Sequence, residues 1–263
     1  MVQKNTIGSI EIKCLESVDS TNRYVKDNFD SLGNYSLTYA LQQTAGRGRL
    51  NRTWLSPKND NVYASIVVKN PPFPIHMVTW ICGLATIKTL RSFSEKKELP
   101  LWLKWPNDVY CGYKKISGIL CEGILNKNNT LDGLVIGVGI NINSTSEYLA
   151  QLDQAATSLK IVTERDNNYQ IADLVAEFAE CFKDYFNLTV GSQELLYELW
   201  RKENKLLNQK IDIVDAQNNT LKGIVKDLTK NGEIIFEIDQ KEQIILCGDI
   251  KIQKETIKNL QFP

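Results

Sequence analysis

Three arginines and a tryptophan, interleaved with two glycines, form the densest group of chemically useful side chains in this sequence. The segment Gln43–Trp54 reads Gln-Thr-Ala-Gly-Arg-Gly-Arg-Leu-Asn-Arg-Thr-Trp. Arginine side chains carry a permanent charge and bind phosphate or carboxylate through paired N–H donors. Tryptophan offers a flat apolar face on which a nucleobase can stack. Gly46 and Gly48 let the backbone adopt φ > 0 and come close to a ligand, because neither has a Cβ. An exposed basic turn is the alternative for this segment alone.

A second polar segment, Lys104-Trp105-Pro106-Asn107-Asp108, follows about fifty residues later. Leu101–Trp105 is predicted to be a strand, so Lys104 should lie on the face opposite Leu103 and Trp105. A proline, an amide and a carboxylate then close the strand end, where α/β folds place ligand groups. A lysine that only faces solvent is the alternative. Together the two segments indicate a site for an anionic ligand.

These two segments resemble the biotin protein ligases, whose pattern is Gly-Arg-Gly-Arg-x-x-Arg-x-Trp followed by Lys-Trp-Pro-Asn-Asp. Three further family motifs are matched in order, by residues 19–22 (Asp-Ser-Thr-Asn), 115–120 (Lys-Ile-Ser-Gly-Ile-Leu) and 137–141 (Gly-Val-Gly-Ile-Asn). The resemblance covers the chain from about residue 10 to about residue 253. It implies an ATP-dependent biotin–[acetyl-CoA-carboxylase] ligase.

The reaction that the resemblance implies has two steps. The biotin carboxylate attacks the α-phosphate of ATP, which gives biotinyl-5'-AMP and releases pyrophosphate. A specific lysine of a biotin carboxyl carrier protein domain then attacks the mixed anhydride, and AMP departs. Neither step requires a nucleophile from the enzyme, so the protein must position the reactants and stabilise negative charge. ATP, Mg²⁺ and biotin as substrate are therefore expected.

The resemblance also implies a role for each motif residue. Lys104 and Arg49 are the expected catalytic residues. The expected biotin-binding residues are Ser20, Thr21, Asn22, Gln43, Gly46, Arg47, Gly48, Arg49, Lys104 and Gly118. The expected ATP- and adenylate-binding residues are Arg47, Arg49, Arg52, Trp54, Lys104, Asn107, Lys115 and Asn141. No metal ligand is firmly assigned, because Mg²⁺ is expected mainly on phosphate oxygens and water, with Asn107 and Asp108 as candidate contributors.

Three local patterns allow a simpler interpretation. Residues 19–22 are rich in N-cap residue types, so they predict a helix start whose hydroxyls and amide N–H groups can also bind a polar ligand. Gly137-x-Gly139-x-Asn141 superficially suggests a dinucleotide fingerprint, but it lacks the third glycine and the following helix. His76, the sole histidine, is expected to be a surface or capping residue rather than a catalytic base.

The composition excludes several classes of protein. Lys and Arg number 31, as do Asp and Glu, so no global field favours nucleic acid. Neither a signal peptide nor a membrane-spanning apolar run is present, and the six scattered cysteines predict reduced thiols and a cytoplasmic protein. A lipoate or octanoate ligase of the same superfamily and, from another class, a nucleic-acid-binding module are the alternative functions. An inactive scaffold has nothing in the sequence to favour it.

The predicted fold is α+β, with a mixed central sheet flanked by helices, of the class II aminoacyl-tRNA synthetase and biotin ligase type. Apolar periodicity predicts helices over 76–93 and 169–188, and short alternating strands from Lys210 predict a small SH3-like β-barrel. The expected domains are residues 1–206 (catalytic) and 207–263 (barrel). The first motif begins at Asp19, so no N-terminal helix-turn-helix and no DNA binding are expected. Some family members have an arginine where this chain has Gln253-Lys254, so the resemblance does not carry a role in ATP binding over to the barrel. Family members can also pair through edge strands of the main sheet, which makes a homodimer a candidate state.

Overall fold

The computed structural model describes residues 6–94, 98–214, 219–246 and 248–251. The helices are α1 Thr21–Asp27, α2 Ile75–Ser92, α3 Ser146–Leu149, α4 Leu159–Thr163, α5 Ile171–Gly191 and α6 Gln193–Glu203, with a 3₁₀ turn at Arg49–Asn51. The strands are β1 Ile12–Leu15, β2 Leu37–Ala40, β3 Val62–Lys69, β4 Leu101–Lys104, β5 Asp108–Cys111, β6 Lys114–Leu125, β7 Leu131–Ile140, β8 Lys210–Val214, β9 Thr220–Leu228, β10 Ile234–Ile238, β11 Lys241–Ile245 and β12 Asp249–Lys251. No helix of the described residues is long and apolar enough to span a membrane.

The central sheet is mixed, which confirms the predicted fold class. Within the described residues it has seven strands in the order β1-β2-β3-β7-β6-β5-β4. Strands β1 and β2 are parallel, and the other neighbours pair antiparallel. The long pairing of β6 with β7 and of β7 with β3 forms the centre of this sheet. Residues from every motif meet on or beside these central strands.

Helices cover the two faces of the sheet unequally. Helix α2 packs so closely on one face that a Cβ built on Gly83 would lie 2.8 Å from a methyl carbon of Leu103. Helices α5 and α6 pack against α2 and also contact β3 and β4, and their apolar residues join the same core. The short helix α1 lies on the other face, where Val25 and Phe29 pack against Val67 and Val135. The rest of that second face is therefore available for a site.

The C-terminal strands form a second, antiparallel sheet that packs on the first unit. Its order within the described residues is β11-β10-β9-β8-β12. The Tyr197 hydroxyl donates to the Leu228 carbonyl at 2.7 Å, and Trp105 Nε1 donates to the Gly232 carbonyl at 2.8 Å. Ile211 and Phe236 of this sheet belong to the same hydrophobic core cluster as the central sheet. The two units thus share one core.

His76 lies at this junction, so the expectation of a surface or capping residue is wrong. Pro74 occupies the N-cap position of α2. The half-buried His76 ring packs on Trp80 with centroids 4.8 Å apart, and the turn at Gly232 lies beside it. Burial lowers the pKa of His76, against the opposing effects of the Lys230 backbone and the Glu233 charge. The ring is half-buried because it packs between Trp80 of the same helix and the turn at Gly232.

Several details differ from the sequence predictions. Strand β5 and the short helices α3 and α4 were not predicted, because four or five residues carry too little periodicity. Among the described cysteines, Cys14, Cys82, Cys111, Cys121 and Cys181 are free thiols. Cys247 and Gln253-Lys254 lie outside the described residues.

Candidate active site

A row of paired residues crosses the second face of the central sheet. Lys104 pairs with Asp108, Asp108 with Gly118, and Gly118 with Gly139. Directly opposed residues on neighbouring strands project from the same face, so these four positions are aligned across four strands. The alignment agrees with the prediction that Lys104 lies opposite Leu103, which packs against α2 on the other face.

Glycines on β7 leave room for side chains that arrive from other elements. Gly133, Gly137 and Gly139 alternate along the strand and so share one face. A Cβ on Gly137 would lie 2.3 Å from Asn22 Oδ1, and one on Gly139 would lie 2.4 Å from the Trp54 ring. These residues form no dinucleotide fingerprint, as the sequence predicted. They allow α1 and the arginine-rich loop to contact the sheet directly.

The arginine-rich loop folds as a tight hairpin. Gly48 N donates to the Arg52 carbonyl at 2.7 Å, and Trp54 N donates to the Gly46 carbonyl at 2.9 Å. Neither Gly46 nor Gly48 uses the positive φ that glycine permits, since the described glycines with positive φ are Gly112 and Gly232, and Gly48 is extended. Leu50 takes the positive φ of 54°. Gly46 is required for close packing, because a Cβ there would lie 2.3 Å from the Trp54 carbonyl oxygen.

Trp54 lies flat against the glycines at the centre of the row. A Cβ on Gly118 would be 3.2 Å from its ring and 3.2 Å from Lys115 Nζ. Lys115 Nζ lies 5.5 Å from the centre of a Trp54 ring and 2.8 Å from Asp108 Oδ1. The Trp54 indole nitrogen is buried and has no hydrogen-bond partner among the described residues. An aromatic surface, a lysine and a carboxylate are therefore in contact.

Lys104 and Arg49 approach the row from its β4 and β5 end. The Lys104 side chain is buried, with 7% of its surface exposed, and its Nζ lies 5.1 Å from the centre of the Tyr110 ring. A lysine that only faces solvent is therefore excluded. Arg49 donates to Asn107 Oδ1 at 2.7 Å, and Asn107 Nδ2 donates to the Ile119 carbonyl at 2.6 Å. The hairpin is thereby fastened to the sheet beside Lys104.

A polar network joins the start of α1 to the strand before the hairpin. Thr21 N and Thr21 Oγ1 donate to Gln43 Oε1 at 2.8 and 3.1 Å. Gln43 Nε2 donates to Ser56 Oγ at 2.9 Å. Ser65 Oγ lies 2.8 Å from Thr21 Oγ1 and 2.6 Å from Asn22 Oδ1. The structure thus brings three of the predicted biotin-binding residues together with two serines that sequence reasoning missed.

Ser20 does not provide the expected hydroxyl cap. It occupies the N-cap position of α1 but makes no side-chain cap hydrogen bond. Its own N–H donates to Asp19 Oδ1 at 2.6 Å, while Gln43 accepts from the next amide. A side chain from a distant strand end therefore caps this seven-residue helix.

Glu122 joins helix α1 to the arginine-rich hairpin, and sequence reasoning missed it. Its carboxylate accepts from Asn22 at 2.8 Å and from Lys26 at 3.1 Å, and it pairs with Arg47 at 3.1 Å. Burial raises the pKa of Glu122, but hydrogen bonds from Asn22 and Lys26, with the Arg47 charge, outweigh burial and leave the pKa below its ordinary value. Strand alternation from Gly118 could have placed it on this face.

The remaining predicted residues have separate surroundings. Arg52 is exposed at the return of the hairpin, and Asn141 is buried beyond β7, where its Nδ2 donates to the Thr157 carbonyl at 3.1 Å. Arg47 extends toward Glu122 beside α1, away from the Lys115 pair. Asn107 and Asp108 are already engaged by Arg49 and Lys115. No cluster of three or more His, Cys, Asp or Glu suited to a metal occurs among the described residues.

Comparison with known proteins identifies the family to which this chain belongs. A model of the biotin/lipoate A/B protein ligase family matches residues 14–141. The bifunctional ligase/repressor BirA of Escherichia coli strain K12 is 27% identical over 259 residues, which cover 95% of this chain and 77% of that protein. The BirA protein of Bacillus subtilis strain 168 is 30% identical over 220 residues, covering 82% of this chain and 66% of that protein.

A solved structure shares the fold. The biotin protein ligase from Aquifex aeolicus in complex with biotin and ATP has a TM-score of 0.77 at 24% identity, covering 92% of this chain and 98% of that one. At this identity the likeness establishes the fold, while the sequence relatives establish the kinship. The chain belongs to the biotin/lipoate A/B protein ligase family, on the branch of the biotin protein ligases.

Proposed function

We propose that this protein activates biotin with ATP to biotinyl-5'-AMP and then transfers biotin to a lysine of an acceptor domain. The observation that carries the proposal is the aligned row from Lys104 to Gly139, with Trp54 lying on its glycines and the Thr21–Gln43 network beside it. Lys104 in the row, with Lys115 and Trp54 beside it, supplies cations and an aromatic face, which suit a nucleotide. The network supplies amides and hydroxyls, which suit an uncharged polar ring.

The biotin head is proposed to bind beside α1. A ureido ring has two N–H donors and one carbonyl acceptor, so its site needs both kinds of partner. Thr21, Asn22 and Gln43 carry hydroxyl and amide groups that are held in place by Ser56 and Ser65. Ser20 completes the set at the first turn, and Gly46 and Gly118 are assigned to the lining of the site.

The reacting groups are proposed to meet at Lys104. The attack of a carboxylate on the α-phosphate brings two anions together, and a buried ammonium group offsets their repulsion more strongly than an exposed one would. Lys104 is 7% exposed and lies across the row from the Trp54 platform, which we assign to the adenine. Lys115 is assigned to the phosphates.

The hairpin is proposed to close the site over the acyl-adenylate. Arg49 ties the hairpin to Asn107, just before β5, and Arg47 ties it to Glu122 on β6, so a single loop is fastened to the sheet at two separate points. Closure would keep water away from the mixed anhydride until the acceptor lysine arrives. Arg52 and Asn141 are assigned to outer contacts with the nucleotide.

Magnesium is proposed to enter with ATP rather than to bind a dedicated protein site. Mg²⁺ usually keeps several waters and binds through phosphate oxygens plus one or two carboxylates. The Asp108 carboxylate pairs with Lys115 at 2.8 Å, and the Asn107 amide is engaged by Arg49, so neither is an uncommitted ligand. No step is assigned to the ion here.

The acceptor is proposed to be the biotin carboxyl carrier domain of a carboxylase. One sequence relative, from Mycobacterium tuberculosis strain H37Rv, is named as a biotin–[acetyl-CoA-carboxylase] ligase and is 25% identical over 216 residues. An acceptor of this kind carries its lysine on a compact domain, so the site must be open at one side. A homodimer and a cytoplasmic location are proposed with it.

The first test is pyrophosphate release from ATP and Mg²⁺ with biotin, with lipoate, and with neither acid. Biotin-dependent release is the expected result. Release with lipoate but not with biotin would overturn the assignment of Ser20, Thr21 and Gln43 while leaving the adenylation chemistry. Release with neither acid would overturn the proposed function, and salt-dependent retention on DNA would then support the nucleic-acid-binding alternative.

A further inference from the structure

A single carboxylate fixes side chains from two separate elements of the candidate biotin site. Glu122 lies on β6, whereas Asn22 and Lys26 lie on α1 and Arg47 lies on the hairpin. Glu122 Oε2 accepts from Asn22 Nδ2 at 2.8 Å and from Arg47 at 3.1 Å, and Oε1 accepts from Lys26 at 3.1 Å. The Glu122 side chain is 20% exposed, so water competes little for these bonds.

The Asn22 contact sets the orientation of an amide. Asn22 Nδ2 donates to Glu122 and, at 3.2 Å, to the Leu120 carbonyl, while Asn22 Oδ1 lies 2.6 Å from Ser65 Oγ. A hydroxyl can donate or accept, so Ser65 tolerates either orientation of the amide. A carboxylate only accepts, and charge-assisted bonds are the stronger ones. The Leu120 carbonyl also only accepts, so it and Glu122 together turn the nitrogen and not the oxygen toward β6, and Glu122 makes the shorter, charge-assisted bond.

The Arg47 contact sets the position of the hairpin at the same end of the site. Arg47 is 45% exposed, and its guanidinium reaches Glu122 from the hairpin across the edge of α1. Lys26 reaches the same carboxylate from the second turn of α1. The helix and the hairpin are thus fastened to one point on β6.

We infer that Glu122 is a positioning residue of this ligase, which sets the Asn22 amide and the Arg47 side chain in the geometry that biotin requires. The inference rests on the proposed function, because it assigns Glu122 to the biotin part of that site. Glu122 does not touch the reacting atoms. Its effect should therefore fall on biotin binding and, through Arg47, on the closing of the hairpin, and not on the KM for ATP or on the chemical step.

The test is Glu122→Gln, which keeps the shape of the side chain and removes its charge. The glutamine side chain has one acceptor oxygen and one NH₂ donor where the carboxylate had two acceptors. One contact, with Asn22 or Arg47, therefore becomes a donor facing a donor. We expect the KM for biotin in pyrophosphate release to rise roughly tenfold, as for the loss of one hydrogen bond to a charged group. The KM for ATP and the kcat at saturating biotin should stay within about twofold of the wild-type values.

Glu203→Gln is the matched control. Glu203 accepts two bonds from Arg91 at 2.9 and 3.1 Å and is 18% exposed, but this pair joins α2 to α6 on the other face of the sheet. The two variants remove similar ion pairs at similar exposure. Only Glu122→Gln should change the KM for biotin, whereas thermal melting should report similar losses for both.

Glu122→Asp separates geometry from charge and serves if the Gln variant does not fold. Aspartate keeps the charge but is one methylene shorter, so positioning predicts a raised KM for biotin in this variant as well. A purely electrostatic role predicts no change for Asp, and for Gln it predicts lower KM values for both anionic substrates, because two cations lose their counter-charge. That pattern, or wild-type KM values in both variants, would overturn the inference. If the wild-type protein shows no biotin-dependent release of pyrophosphate, the proposed function is overturned. The role of Glu122 then falls with it.

Discussion

Substitutions of two glycines on β7 should each weaken the binding of a different substrate. Gly137 lies under Asn22, and Gly139 lies under Trp54. The substitution Gly137→Ala therefore places a methyl group against the proposed biotin site, and Gly139→Ala places the same group against the proposed adenine site. The positions are two residues apart along β7, with Val138 between them, and each change adds one carbon atom. We expect Gly137→Ala to raise the KM for biotin and Gly139→Ala to raise the KM for ATP.

The structure gives the size of each displacement. The added Cβ would lie 2.3 Å from Asn22 Oδ1 and 2.4 Å from the Trp54 ring, whereas ordinary contacts of this kind begin at 3.4 Å. Each side chain must therefore move by about 1 Å, a misplacement that can cost on the order of 100-fold in an enzyme site. Overpacking of this kind costs about 1–3 kcal/mol of stability, so both variants should still fold.

The assay is pyrophosphate release with one substrate varied while the other is saturating. Gly191→Ala is the control, because a Cβ at Gly191 meets nothing within 4 Å. It should leave both KM values unchanged and should not lower the melting temperature. Similar increases in both KM values for both β7 variants would refute the division of the sheet face into two subsites. An exchange of the two effects would refute the assignment of Trp54 to the adenine.

Three further predictions follow from individual contacts. Lys104→Met, which keeps the buried stem, should reduce pyrophosphate release at least 100-fold while circular dichroism shows an intact fold; substantial release would contradict the catalytic assignment. Arg49→Gly removes the 2.7 Å bond to Asn107 and should release biotinyl-5'-AMP roughly tenfold faster, so that lysines of an added unrelated protein become biotinylated; tighter retention of the adenylate would contradict the closing role of the hairpin. Burial lowers the pKa of His76 below its ordinary 6.5, so the unfolded chain binds a proton that the folded chain does not. The free energy of unfolding in urea should therefore fall as the pH drops below about 6.5, and His76→Phe should remove that part of the slope.

Long periodic segments of the fold were predictable from the sequence. The predicted helix over 76–93 is α2, Ile75–Ser92, because eighteen residues with recurrent apolar positions specify a buried helix. The predicted helix over 169–188 is α5, Ile171–Gly191. Strand alternation correctly placed Lys104 opposite Leu103, although its burial reflects neighbours such as Tyr110 that local spacing does not reveal. Glu122 is a second residue whose neighbours, on α1 and the hairpin, local spacing does not reveal.

Contacts between distant segments explain what the sequence did not reveal. Asn22 and Glu122 are one hundred residues apart, and only the packing of α1 on β3 and β7, beside β6, brings them to 2.8 Å. The N-cap pattern predicted a hydroxyl at Ser20, but Gln43 reaches the same helix start and satisfies it instead. The sequence indicated that Gly46 permits an unusual φ, but glycine is required there because the Trp54 carbonyl crosses it. In each case, tertiary packing decided between local alternatives.

The shared core at the junction of the two sheets has a consequence for dissecting this protein. A cut near residue 206 would uncover Trp105 and Tyr197 on one fragment and Leu228 on the other, all of them at least nine-tenths buried in the intact chain. Fragments with such surfaces tend to aggregate rather than to remain as stable separate domains. Produced together in one cell, the same surfaces would drive reassembly. The chain is thus suited to a split reporter in which biotin appears on a nearby carrier only when two fused proteins bring the halves together.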